Sequence, residues 1–303
     1  MVFWIAFNSF ILLMLALDLG VFQKKETVIT LKQSAKWIAL WVSLALIFNV
    51  VVYFWKGQVK AMEFFTGYII EMSLSVDNLF VFIVIFSYFN VPKKYEHRVL
   101  FWGILVALVL RGFFIITGVA LFNAFNWMIY IFGAILVYTG IKMFFHKENE
   151  HHDLSENFTV KLCRKVFPIS DDYDGHNFFT RINGKFFFTP LFLVLMVINI
   201  TDVVFALDSI PAVLAVSSDT FIVYTSNIFA ILGLRSIYFA LSGMMHLFRF
   251  LKYGLALILS FVGLKMLASE KFVMDTGWTL AIVAAILALS TILSLVIKPK
   301  TEK

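Results

Sequence analysis

Apolar runs of about 20 residues, separated by short stretches rich in basic or polar residues, recur along the whole chain. They fall at about 2–22, 36–55, 64–89, 98–122, 126–145, 187–216, 221–246, 251–269 and 277–297, each near the length a helix needs to cross a hydrocarbon core. The pattern predicts nine transmembrane helices and an all-α, polytopic membrane protein whose first partner is the lipid bilayer. Composition agrees: 61% of the 303 residues are hydrophobic, 36 of them Phe, and the mean hydropathy is +0.90, against roughly 45–50% apolar residues in soluble domains. The first run lacks a basic leader and a small-residue cleavage site, so it is expected to remain as a helix.

Basic residues set the orientation. One set of connections collects Lys24, Lys25, Lys32, Lys36, Lys93, Lys94, Arg98, Lys147, Lys161, Arg164, Lys165, Arg181, Lys185, Arg249, Lys252, Lys298, Lys300 and Lys303. The opposite set holds only Lys56, Lys60 and Lys271. By the positive-inside rule the N-terminus is outside, the C-terminus inside, and a bacterial-type inner membrane is the expected location. The net charge of +6 therefore reads as topology. It does not form the aromatic-studded basic face of a nucleic-acid binder.

Two acidic motifs interrupt the hydrophobic pattern. Glu71, Asp77 and Asn78 stand in EMSLSVDN, and Asp202, Asp208 and Ser209 in DVVFALDS, at one constant offset. A carboxylate at bilayer depth costs roughly 2.5–3.5 kcal/mol even on lenient scales, so such groups serve an ion, a proton or a buried partner. The repetition extends further. VALVLRGFF matches AILGLRSIYF, aligning Arg111 with Arg235, and YTGIKMF matches FVGLKML, aligning Gly140 with Gly263. Three helices per copy, an odd number, place the copies in opposite orientations, as in transporters with inverted repeats and a midplane site. The chain then divides into two N-terminal helices (1–63), a first repeat (64–146), a cytoplasmic connection (147–186), a second repeat (187–270), and a last helix with a short tail (271–303).

Positions six apart on an ideal helix point about 120° apart, so Glu71 and Asp77 reach one point only if the helix breaks between them. Pro211, in DSIPA, gives the second copy a reason to break. Carboxylate, amide and hydroxyl oxygens without nearby Cys or His form a hard donor set that suits Mn, Ca or Mg. Four acids gathered at low dielectric do not all stay ionised without a cation or protons, which predicts metal/proton competition. Arg111 and Arg235 offer another arrangement, in which bidentate guanidinium–carboxylate pairs neutralise some acids and position them. Gly67, Gly103, Gly112, Gly118, Gly133 and Gly140 read as sites of close helix approach.

The connection carries ENEHHD (Glu148 to Asp153) and SDDYDG (Ser170 to Gly175), which read as a solvated loop, with weak metal gathering as the alternative. One cysteine, Cys163, excludes an internal disulfide and gives no support to redox chemistry. There is no P-loop, no GxSxG and no HExxH, so ATP-driven pumping and hydrolysis are not indicated and no enzyme is expected.

GYIIEMSLSVDNLFVFIVIFSYFNVP, TPLFLVLMVINITDVVFALDSIPAVLAV and FIVYTSNIFAILGLRSIYFAL resemble the TerC family of integral membrane proteins, including its Alx branch, over about residues 36–270. The resemblance implies membership of the LysE-type transporter superfamily, manganese efflux, metalation of exported proteins and, by name, tellurium resistance. It places metal ligands at Glu71, Asp77, Asn78, Asp202, Asp208 and Ser209; Asn199, Arg111 and Arg235 are further candidates read from the residues themselves. Where the family usually has Glu, this chain has Asn199, which keeps an oxygen ligand and loses a charge. Some relatives carry a cytosolic domain after the last helix; none is expected after PKTEK.

The resulting expectation is a divalent cation exporter, for Mn(II) first, with no tightly bound cofactor, with protons as possible counter-ions, and with protein partners not specified. Calcium/proton exchange uses the same ligands. A non-transporting scaffold or metal sensor in tellurium or metal stress is the reading of a different class.

Overall fold

The computed structural model describes residues 2–22, 31–125, 127–145, 160, 163, 165–182, 184–242, 250–268 and 274–296; the side chains of Val2, residues 16–22, Asp77, Phe80, Asn123, Leu207 and Asp208 lie outside that description. Among the described residues nine long helices appear: α1 (Val2–Phe22), α2 (Leu31–Lys56), α3 (Gln58–Tyr88), α4 (Lys93–Ala124), α5 (Met128–Phe145), α6 (Pro190–Leu214), α7 (Thr220–Leu241), α8 (Leu251–Leu267) and α9 (Thr276–Val296). Seven of them, all but α1 and α8, are long and apolar enough to cross a membrane by length and composition.

Helix ends follow local chemistry rather than the edges of apolar runs. α4 starts at Lys93, directly after Pro92, whose φ of −59° suits the position before a helix. KKYEHR is therefore helical although it is not apolar. α6 carries Pro190 at its first turn, where a missing N–H costs nothing. The Asp219 side chain caps α7 by accepting hydrogen bonds from the backbone N–H groups of Phe221 (3.0 Å) and Ile222 (3.4 Å).

Two expected helix breaks are absent. α3 is continuous through residues 71–77, and α6 is continuous through Pro211. The proline sits three residues before the end of α6, so only the last turn lies beyond it, and its own carbonyl accepts from the N–H of Ala215 at 3.0 Å. The proline removes the one bond its own N–H would make, and the ladder resumes beyond it.

α7 lies at the centre, buried around almost its whole circumference. α3 packs against α7, and α4 against α6; α5 packs against α8; α2 covers α3 and α7, and α9 covers α8 and α3. α5 and α8 run antiparallel and meet over small residues. A Cβ at Gly140 would lie 2.7 Å from the carbonyl oxygen of Ala256, and one at Gly263 would lie 2.7 Å from that of Gly133. Backbones approach this closely only where a side chain is missing. Gly67 is similarly tight against Ser226 and Val213, at 3.0 and 3.1 Å. Gly103 is not, since its nearest neighbour would be 3.6 Å away; it lines a cavity instead.

The connection between α5 and α6 adds a β-hairpin, β1 (Phe179–Ile182) and β2 (Lys185–Phe188), paired antiparallel. It packs at one end of the bundle, where the Tyr173 hydroxyl donates to the Phe89 carbonyl at 2.7 Å, and burial pushes that phenol up to about 12. Asp171, Asp172 and Asp174 are exposed, as a solvated loop requires. ENEHHD lies outside the described residues.

Candidate ion site at the centre of the bundle

The site is organised by Arg111. Its position on α4 faces α3, α6 and α7, and its side chain is fully buried. One guanidinium nitrogen, Nη1, pairs with Oε1 of Glu71 on α3. Nη2 meets Oδ1 of Asp202 on α6 at 2.9 Å, and Nε meets Oδ2 of the same carboxylate at 3.3 Å. This is the two-pronged geometry that distinguishes Arg from Lys. Nη1 also donates to Oδ1 of Asn227 on α7 at 3.3 Å. One guanidinium thus joins four helices and both acidic motifs.

The charges do not balance within this group. Two buried carboxylates, Glu71 at 0% and Asp202 at 4% exposure, share one guanidinium. Polar capacity is left over as well: Oε2 of Glu71, Oδ1 of Asn199, Oγ of Ser209 and Nδ2 of Asn227 have no hydrogen-bond partner among the described residues. Buried oxygens without donors are uncommon because each costs about 1–3 kcal/mol, and a cation or a proton is what such acceptors lack.

A narrow cavity opens beside Asp202, with room of about 20 Å³ for water centres, enough for one water. Leu79 and Phe82 of α3, Leu100, Gly103 and Ile104 of α4, Asn199 of α6 and Arg235 of α7 line it. The Asn199 side chain donates its N–H to the Leu195 carbonyl at 2.8 Å and leaves its oxygen available.

Of the sequence-predicted residues, the structure gathers Glu71, Asp202 and Arg111 in one cluster, and Asn199, Asp202 and Arg235 around one cavity. Asn78 and Ser209 are buried, at 4% and 1%. The side chains of Asp77 and Asp208 lie outside the described residues. On a continuous α3 the backbone positions 71 and 77 stand about 120° and roughly 9 Å apart, so a helix break does not bring them together. Among the described residues no three Asp, Glu, His or Cys side chains come together as a metal-binding group.

Asn227 was missed by sequence reasoning. Its signal was Thr225-Ser226-Asn227, three polar residues inside an otherwise apolar helix. A second polar cluster was also missed, at the end of the bundle opposite the hairpin. Lys56 bonds Asp219 at 2.5 Å, Lys60 bonds Glu63 at 2.7 Å, and Glu63 accepts from the Ser217 hydroxyl at 2.5 Å. Burial pushes the Asp219 carboxyl up, but the hydrogen bond and charge of Lys56, with the N–H groups of Ile222 and Phe221, outweigh it and hold the group below its ordinary value. A depressed carboxyl stabilises the fold above its unfolded-state value, and that contribution disappears as pH falls through the folded one. Asp219→Asn keeps a capping side chain. It is expected to cost about 0.5 kcal/mol at neutral pH, with the difference from the intact chain shrinking below about pH 4 in melts recorded across pH.

Residues 55–302 match the integral membrane protein TerC family. The chain belongs to that family. A relative from Myxococcus xanthus named "Uncharacterized membrane protein STKORF319" is 48% identical over 293 residues, covering 97% of this chain and 92% of its own. Another, from Escherichia coli K12, carries the name "Putative membrane-bound redox modulator Alx"; it is 42% identical over 309 residues, covering 99% and 96%. A Rickettsia bellii membrane protein is 38% identical over 295 residues, covering 97% of each. No solved structure matches. The TerC match spans α3 to α9 and so includes Arg111, both its acidic partners and the cavity.

Proposed function

We propose that this TerC protein exports a divalent cation, Mn(II) first, across a bacterial-type inner membrane, by alternating access between two inverted three-helix repeats. The observation that carries the reading is the shared guanidinium: one carboxylate from each acidic motif meets at Arg111, next to a cavity lined by Asp202, Arg235 and Asn199, whose side-chain oxygen has no hydrogen-bond partner among the described residues. Hard oxygen donors favour Mn(II), Ca(II) or Mg(II) over softer-ligand metals. Glu71, Asp202 and Asn199, with Asp77, Asn78, Asp208 and Ser209 from the same motifs, are the proposed cargo ligands. Proton counter-transport belongs to the reading, because protons and metal compete for the same carboxylates. In the N-out, C-in orientation the cavity and the hairpin lie toward the cytoplasm, the side from which an exporter loads. Calcium/proton exchange is the same mechanism with a different cargo.

One observation favours a scaffold or sensor: both described carboxylates are already tied to Arg111. Redox modulation, the wording attached to the Escherichia coli relative, finds little support in this chain. Its one cysteine, Cys163, is buried, and burial pushes its thiol up, away from the reactive thiolate.

The deciding experiment is Mn(II) uptake into everted vesicles or proteoliposomes under an imposed proton gradient. The intact chain is expected to accumulate Mn(II). Asp77→Asn with Asp208→Asn, and separately Asp202→Asn, are expected to fall to the level of empty vesicles. Folded protein with no flux of Mn(II), Ca(II) or Mg(II) would leave the scaffold or sensor reading.

A further inference from the structure

The two acidic motifs share one guanidinium, yet each copy of the repeat carries its own arginine. Their surroundings differ. Arg111 is fully buried and bonded to Glu71, Asp202 and Asn227. Arg235 lines the cavity, and so does Asp202. Two pairs of positions at matched distances from the two arginines repeat the difference, while Ala107 and Ile231, each four residues ahead, both line the cavity. Ile104 and Ile228 each precede their arginine by seven residues; Ile104 lines the cavity, whereas Ile228 is 0% exposed. Gly103 and Asn227 each precede it by eight; Gly103 lines the cavity, and Asn227 is sealed against Arg111.

The principal packing of the copies follows a two-fold exchange. α3 on α7 corresponds to α4 on α6, and α5 on α8 corresponds to itself. The Gly140–Ala256 and Gly263–Gly133 approaches, which the exchange interconverts, are equal at 2.7 Å. A frame with two-fold contacts and one-sided occupancy of its centre has a second arrangement of similar contacts, in which the sides trade places.

We infer that Arg111 and Arg235 are alternating tethered counter-ions of one carboxylate pair. In the arrangement described, Arg111 occupies the place between Glu71 and Asp202 and the cavity opens beside Arg235. In the other, Arg235 crosses to Asp202 and Glu71, the cavity closes, and an equivalent one opens beside Arg111 at the opposite end. Each arginine neutralises the acids while the cargo is absent. The cation must displace a guanidinium to bind, which prevents the empty site from standing open as a charged pore. The copies are not equal, however. Asn227 gives Arg111 a third partner, and its counterpart, Gly103, has no side chain to offer Arg235. The described arrangement is therefore the resting one.

The inference rests on the transport reading only for its purpose, and thiol accessibility reports it without any flux. The test uses the full chain with Cys163→Ser and one new cysteine, Ile104→Cys or Ile228→Cys, in sealed vesicles of both orientations. A membrane-impermeant methanethiosulfonate is added from one side at a time. Ile104→Cys is expected to react from the hairpin face, and Ile228→Cys at least tenfold more slowly from the other. Adding Asn227→Ala removes a hydrogen bond to a charged group and is expected to speed Ile228→Cys about fivefold while slowing Ile104→Cys. Arg235→Gln is expected to do the reverse. Arg111→Lys, which keeps the charge and loses the fork, serves as a second way to loosen the hold. Rates that move together, or an Ile228→Cys rate unaltered by both Asn227→Ala and Arg111→Lys in protein that stays folded, would overturn the exchange. Reciprocal labelling without cation flux upholds the exchange and removes the transport reading.

Discussion

Replacing Arg111 with Met is expected to lower the stability of this protein by about 3–5 kcal/mol, the usual cost of removing one partner from a buried ion pair. The loss comes mainly from what is left behind. Glu71 and Asp202 keep their burial, lose the cation between them, and repel each other at low dielectric. Arg111→Lys is expected to fall in between, because an ammonium is a point charge and cannot hold Asp202 with two nitrogens while also reaching Glu71 and Asn227. Adding Glu71→Gln and Asp202→Asn to Arg111→Met is expected to recover much of the loss, since three neutral side chains carry no unpaired charge. Thermal melting in detergent of the single, double and triple variants measures the coupling directly. Equal, additive losses for each substitution would show that the three side chains contribute separately.

The second large effect is expected at the seam between α5 and α8. A Cβ at Gly140 would lie 2.3 Å from the Ser260 hydroxyl oxygen, 2.7 Å from the Ala256 carbonyl oxygen and 2.9 Å from the Ser260 amide nitrogen. One at Gly263 would meet the Gly133 carbonyl oxygen, the Leu136 Cβ and a Val137 methyl at 2.7–2.9 Å. Backbone atoms are among the neighbours at both positions, so the helices themselves must separate. Overpacking of this kind costs about 1–3 kcal/mol for Gly→Ala. Leu in place of either glycine is expected to prevent the helices from meeting, and to reduce the yield of folded protein. Gly103→Ala is the control. Its new methyl would find its nearest neighbour at 3.6 Å, an ordinary contact, and no change in melting is expected.

Most of the helical frame was legible because each crossing has to be apolar for about 20 residues. Boundaries were less so. α2 begins at Leu31 and α4 at Lys93, several residues ahead of the apolar runs, because a helix emerging from the bilayer continues with Lys, Gln and Glu on its surface. The acids and arginines were legible as exceptions to the hydrophobic pattern. Their pairing was not: Arg111 lies 91 residues from Asp202 and 116 from Asn227, and spacing along the chain says nothing about contacts at that range. The expected breaks at residues 71–77 and at Pro211 followed from asking both acids of one helix to face a single point. The helices stay whole, and Arg111 bridges between two of them.

The four-helix reach of Arg111 bears on how the chain enters the bilayer. Helices emerge from synthesis in order, so α3 and α4 arrive as a hairpin with Glu71 and Arg111 together, long before Asp202 exists. An arginine at the middle of a spanning helix costs roughly 2.5–3.5 kcal/mol on insertion scales, and Glu71 is the partner within reach at that moment. α6 and α7 repeat the arrangement, with Asp202 arriving beside Arg235. Each half thus brings an acid and an arginine of its own, and in the assembled bundle both acids meet one guanidinium. Glu71→Gln is consequently expected to hinder insertion of α4 more than Asp202→Asn, because Asp202 reaches Arg111 only after α6 has been made.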